Sequence, residues 1–247
     1  MSKGGQNRAL LVYLDQNYAS RVAKYLLGLP YNEVFGAFWG ELRAGARMAL
    51  WIAPPSPFHV LELHGGYLLP TFRRLFAEVS GGFWVRPWQE VVRLQAGRGG
   101  IALEDLLTRK GSWGRPADLD PLWDLLDLEL EGSFYARVEQ GARFVSKRLG
   151  LGEGALRLPF VSLLARLLAF RSLEATRRER LADLVDLLMA ATVAPYADAL
   201  GTDRYLREAL QRVGYRRPVF SGRAAEVRAF TDWLRMRRDE AQRQGLS

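Results

Sequence analysis

Four acidic residues of this chain stand where chemistry can be done. Asp15 comes directly after a short apolar run, Ala9 to Leu14 (ALLVYL). Glu62 falls in the second turn of a helix whose start is marked by Ser56-Pro57, serine as N-cap and proline at the first helical position. Asp186 lies between Val185 and Leu187 on an apolar helix that ends near Thr192. A short turn through Pro195 and a buried run lead from there to Thr202-Asp203. Helix, turn, strand and carboxylate in this order put Asp186 and Asp203 near one edge of a parallel sheet, the edge at which open α/β sheets bind ligands. Carboxylates crowded together repel and desolvate poorly, so they need a cation. One or two Mg²⁺ or Mn²⁺ ions there would hold a scissile phosphate, lower the pKa of a bound water and stabilise the leaving oxygen.

Four neighbours are auxiliary candidates. Thr202 can hydrogen-bond a carboxylate or a phosphate oxygen, and Asn17 can orient a ligand water. Asp183 lies three residues before Asp186, on the same helix side, as an outer-sphere helper or an ion-pair partner of Arg180 or Arg178. Arg204, beside Asp203, is a substrate-side candidate. Asp198 is excluded: five residues of strand separate it from Asp203, about 16 Å at the usual rise, so it belongs to the opposite sheet edge. Taken singly each acid has a plainer role. Asp15 and Asp203 can be helix caps or turn formers, and Glu62 an exposed helix carboxylate. The ordered set carries the reading.

The elements that must position these groups are set by apolar period and turn chemistry. Ala9–Leu14 reads as a buried strand, then a helix over Tyr18–Leu27 and another over Tyr31–Met48. Ala49–Ala53 (ALWIA) reads as a second buried strand, broken by Pro54-Pro55. Helices are expected over Tyr67–Val79 and Pro87–Gln95, with a short strand at Phe83–Val85. From Ile101 to about Arg157 the pattern is mostly helical, and 97–171 is expected to be a helical insertion. The acidic segment Leu122–Glu131 reads as a solvated helix face. Leu158–Phe170 is an apolar helix, and Ser172 is placed to cap the next one, which carries Arg177, Arg178 and Arg180 outside. Pro218–Phe220 is a last edge strand, and Ser221 is expected to cap a final basic helix. The expected organisation is a single domain over 8–222 and a C-terminal basic helix over 223–247, packed on the domain or extending from it.

Composition narrows the chemistry. Of 247 residues 49% are hydrophobic, enough for a sizeable core. There is no cysteine, which removes thiolate metal sites and disulfides and suits a reducing cytoplasm. His59 and His64 are five apart, not the i,i+4 spacing of a helical zinc pair, so oxygen-ligated Mg²⁺ or Mn²⁺ is the better fit. The net charge is +8, and 31 of the 35 basic residues are arginine. Arginine's planar fork suits phosphate, and a basic surface around an acidic centre suits a nuclease; a genome-wide preference for arginine over lysine explains the excess equally well. No apolar run reaches the length of a membrane span, and Met1–Arg8 lacks the apolar core of a signal peptide. The expectation is a soluble, cytoplasmic protein.

At these residues the chain resembles the PIN-domain ribonucleases. VYLDQN (Val12–Asn17) is similar to that family's first strand and aspartate. SPFHVLEL (Ser56–Leu63) is similar to its helix-borne glutamate after a serine. DLLMAAT (Asp186–Thr192) and ADALGTD (Ala197–Asp203) are similar to its third and fourth acidic motifs. The motifs cover roughly Arg8–Val79 and Arg180–Phe220. Thr202 and Asp203 are adjacent here, whereas many members have Thr-x-Asp. The resemblance implies a three-layer α/β/α fold with a central, mainly parallel sheet. It also implies metal-dependent cleavage of single-stranded RNA, with Asp15, Glu62, Asp186 and Asp203 as catalytic, metal-binding acids. Nucleic acid is then the partner, RNA favoured over DNA. The biological role is that of a toxin with an antitoxin partner or of an RNA-processing enzyme, and a homo-oligomer is possible. The alternative is a non-catalytic PIN-like module that binds nucleic acid or protein.

Overall fold

The computed structural model describes residues 8–30, 32–63, 66–152, 154–174 and 181–245. In chain order the elements begin β1 (Leu10–Leu14), α1 (Gln16–Leu26), α2 (Val34–Arg47), β2 (Trp51–Ile52), α3 (Pro57–Glu62) and α4 (Leu69–Val79). They continue with β3 (Trp84–Val85), α5 (Trp88–Arg98), α6 (Leu103–Leu106), β4 (Leu107–Thr108), α7 (Phe134–Arg148) and α8 (Pro159–Ser172). The chain closes with α9 (Leu181–Val193), β5 (Ala199–Thr202), α10 (Arg204–Arg212), β6 (Val219–Ser221) and α11 (Ala224–Arg243).

Four strands form one parallel sheet in the order β2-β1-β5-β6. β1 reads LLVYL because a parallel strand is covered on both faces and has no side that favours polar residues. Its alternation divides the core. Leu11 and Tyr13 pack with Leu200, Val219 and the apolar residues of α5, α7, α8, α9 and α10. Val12 and Leu14 pack with Ala199 and the apolar residues of α1, α2, α4 and α11. Helices therefore cover both faces of the sheet. The C-terminal helix is part of its layer: Val227, Phe230 and Leu234 are buried, and Arg238 and Arg235 pair with Glu41 of α2 at 2.5 and 3.3 Å.

The register fixes what lies at the sheet's C-terminal edge. Leu14 pairs with Gly201, and Thr202 with Ser221. The Asp15 amide then donates to the Gly201 carbonyl (2.8 Å), so Asp15 lies level with Thr202. At the other edge Asp198 accepts from the Leu11 amide (2.8 Å) and pairs with Arg8 (3.0 Å), binding the starts of β1 and β5 together. Asp198 is thus the structural residue that its spacing implied.

Several local expectations are corrected. The strand expected at Phe83–Val85 is present as β3, but its antiparallel partner, β4, lies inside the stretch expected to be helical. The segment Asp120–Asp127 is 3₁₀, not α. Its buried residues, Leu122 and Leu125, are three apart, the repeat of a 3₁₀ turn. Ser172 closes α8 and donates to the Ala169 carbonyl (2.9 Å) instead of capping a further helix. Ser221 ends β6, and Arg223 takes the N-cap position of α11. Arg177, Arg178, Arg180 and His64 lie outside the described residues. The stretch 97–171 supplies α7 and α8 and much of one core layer. No described helix is long and apolar enough to cross a membrane.

Candidate functional site

Asp15 ends β1 and caps α1. Its Oδ1 accepts from the Tyr18 amide at 2.7 Å, which satisfies one of the orphan donors of the first turn. Its Oδ2 accepts from Thr202 Oγ1 (2.5 Å) and from the Asp203 amide (3.1 Å). The carboxylate is buried and held from both strands. Three hydrogen bonds favour its charged form, but burial outweighs them, and with the Asp203 charge beside it the carboxyl is pushed up to about 7.

Asp203 repeats the arrangement one strand over. It caps α10 by accepting from the Leu206 amide at 2.7 Å. Both aspartates therefore do the plain capping work that a lone residue would suggest, and both do it at the same sheet edge.

Glu62 is the last residue of α3. Burial of its carboxyl group and the Asp15 charge push it up to about 8. The residue as a whole keeps solvent exposure, which tempers the desolvation, but the two causes have the same sign. The helix beneath it is braced by His59. Nδ1 of His59 accepts from the Ser56 amide (3.0 Å), and Nε2 then carries the proton and donates to the Leu14 carbonyl (2.8 Å). Tyr13 adds a contact of 2.7 Å between its hydroxyl and Ser56 Oγ. Burial lowers the imidazole to about 4, so His59 is a neutral strut between α3 and the end of β1. It sets Glu62 beside Asp15.

Asp186 and Asp183 share the inward side of α9. Burial pushes the Asp186 carboxyl well above the carboxylate range, and Asp15, Asp203, Glu62 and Asp183 each add to that. Asp186 thus lies within electrostatic reach of Asp15, Glu62, Asp203 and Asp183, and Asp15 within reach of Glu62 and Asp203. Among the described residues, none of the four is in an ion pair with an arginine. In these side-chain conformations no three acidic or histidine groups among the described residues converge as a cation cage. The donors nevertheless fit Mg²⁺ or Mn²⁺: hard carboxylate oxygens, mutual repulsion, and no described basic side chain paired with them.

Of the auxiliary candidates, Thr202 touches Asp15 directly. Asn17 and Arg204 line a cleft next to Asp203, and Arg204 pairs with Glu208 at 2.7 Å. The Tyr13–Ser56–His59 brace was not anticipated from sequence. Its signal was present: His59 stands three residues after Ser56, where a capping box places its reaching side chain. Nor were Arg21 and Arg223, which line the same cleft; nothing local sets them apart from the other arginines.

Comparison with protein families, with characterised proteins and with solved structures finds no match to this chain.

Proposed function

We propose that the protein is a metal-dependent nuclease with a PIN-like fold that hydrolyses phosphodiester bonds of single-stranded RNA. The observation that carries this reading is the set of mutually repelling carboxylates, Asp15, Glu62, Asp186 and Asp203, at the C-terminal edge of a parallel sheet. That assembly is costly without a cation, and a structural role alone does not account for it. The raised carboxyls of Asp15, Glu62 and Asp186 point the same way.

Asp15, Glu62, Asp186 and Asp203 would hold Mg²⁺ or Mn²⁺, which supplies charge neutralisation of the phosphate and a more acidic water. The chain's own part is positioning. Thr202 and the Asp203 amide hold Asp15 Oδ2, and the Tyr18 amide holds Oδ1, so this carboxylate cannot swing. Glu62 has the freedom of an exposed side chain on a braced helix, and so can close on a cation while Asp15 stays fixed. A toxin with a cognate antitoxin and an RNA-processing enzyme both fit this chemistry.

The test is incubation of end-labelled single-stranded RNA and DNA with purified protein in Mg²⁺, in Mn²⁺ and in EDTA, beside Asp15→Asn. Cleavage that requires metal and disappears in the variant is expected, with RNA the better substrate. Salt-dependent binding without cleavage would instead favour the non-catalytic binding module.

A further inference from the structure

The sheet edge continues past the acids into a cleft of about 310 Å³. Its outer wall is built by β6. Ser221 pairs with Thr202, so it stands level with the Asp15–Thr202 contact, one strand further out. The chain then turns through Gly222 to Arg223, which begins α11 with no side-chain cap. Arg21, on α1, lies across this turn: a Cβ at Gly222 would meet its Cδ and Nε at 3.1 Å. With no side chain at Gly222, Arg21 rests this close to the turn without adjustment.

Arg21 and Arg223 are both exposed, and neither is in an ion pair among the described residues. Their neighbours are already engaged, Arg204 with Glu208 at 2.7 Å and Arg207 with Glu226 at 2.9 Å. Tyr18 also lines the cleft, and its buried hydroxyl has no hydrogen-bond partner among the described residues. The N-terminus of α11, which has no side-chain cap, opens onto the same space and adds partial positive charge, whereas those of α1 and α10 are capped by Asp15 and Asp203. Two guanidinium forks with no ion pair among the described residues thus stand beside an acidic centre, Arg223 also within electrostatic reach of Glu208.

We propose that Arg21 and Arg223 seat the phosphodiester backbone of a single strand on the β6 side of the carboxylates. This names where the strand enters the site, and it rests on the nuclease reading only for the identity of the polymer. Each fork takes one phosphate.

The test is fluorescence anisotropy of a labelled 12-nucleotide single-stranded RNA, and of the same sequence as DNA, titrated against KCl in EDTA. The double variant Arg21→Ala/Arg223→Ala should weaken RNA binding about tenfold and flatten the salt slope by about 1.4, the value for two single-strand phosphate contacts. A control, Arg157→Ala/Arg216→Ala, removes the same charge from a separate cleft and should leave the slope unchanged. Equal thermal melting of all variants would show that each is folded. An equal loss in the control pair, no loss in the double variant, or no binding by the wild type would overturn the proposal. If the wild type binds through these arginines but cleaves nothing in Mg²⁺, the seat stands and the nuclease reading fails. Cleavage that depends on Asp15 but binding indifferent to the pair would give the reverse.

Discussion

Thr202 Oγ1 donates to Asp15 Oδ2 at 2.5 Å across 187 residues of sequence. The contact joins the ends of the two central strands at the point where the acids meet. It favours the charged form of a carboxylate that burial pushes towards neutrality. Thr202→Val keeps the β-branched shape and removes the donor. It should cost about 1.5–3 kcal/mol of stability, the range for a hydrogen bond to a charged group, and raise the Asp15 carboxyl further. Urea denaturation and an NMR titration of Asp15 would measure the two effects.

Asp15→Asn should separate stability from activity. The amide removes the charge that repels Glu62, Asp186 and Asp203; its Oδ1 can still accept from the Tyr18 amide, while its Nδ2 can only donate, to Thr202 Oγ1, and leaves the Asp203 amide without that acceptor. Relief of repulsion offsets the lost Asp203 amide contact, so the metal-free variant should melt close to the wild-type temperature at pH 8, while cleavage falls by at least about a hundredfold, the scale of losing one preorganised group at a reacting centre. Calorimetry and the cleavage assay together check this.

The pH dependence has a definite sign. Asp15 is raised to about 7 and Glu62 to about 8, above their unfolded values, so the folded state binds more protons than the unfolded one. Their contribution falls as pH rises through those values. His59 works the other way: lowered to about 4, it loses stability as pH falls from 6.5 towards 4. The two oppose each other below pH 6.5, so the clean decline lies between about 6.5 and 8. Glu62 contributes less than its shift suggests, because solvent screens it. Melting temperature in EDTA should fall across that window, Mg²⁺ should restore it, and Asp15→Asn should flatten the profile. Mg²⁺ affinity should rise over the same range, because binding displaces protons.

His59→Ala removes a buried strut and leaves the Leu14 carbonyl and the Ser56 amide without partners. Destabilisation of about 2–5 kcal/mol is expected, the range for large-to-small changes in a core, read from chemical denaturation. Cleavage should fall more than folding explains, because Glu62 loses its position. A variant stable and fully active under folding conditions would overturn the bracing role.

Gly201→Ala tests the packing behind the site. A Cβ there would meet Tyr18 Cγ at 2.9 Å and Leu14 Cδ2 at 3.1 Å. Overpacking of about 1–3 kcal/mol is expected, with thermal melting as the readout.

What the sequence by itself determined was local. The run of Leu11 to Leu14 could only be a strand buried on both faces, and Asp15 after it could only cap or ligate; in the structure it caps, and it faces the other acids. Asp203 obeys the same logic. The inward side of α9 was legible because Asp186 interrupts an apolar helix. Tertiary structure decided the rest, because those features depend on register and on residues distant in sequence. The Leu14–Gly201 pairing brought Thr202 level with Asp15. β4 arose where the local pattern favoured helix, by pairing with the strand expected at Phe83–Val85. His59 became a neutral strut because burial by the surrounding core made its charged form too costly. Arg21 and Arg223 stand on one cleft because the packing of α1 and α11 against β5 and β6 brings their helices to the same sheet edge, and nothing in the local pattern of either arginine encodes that meeting.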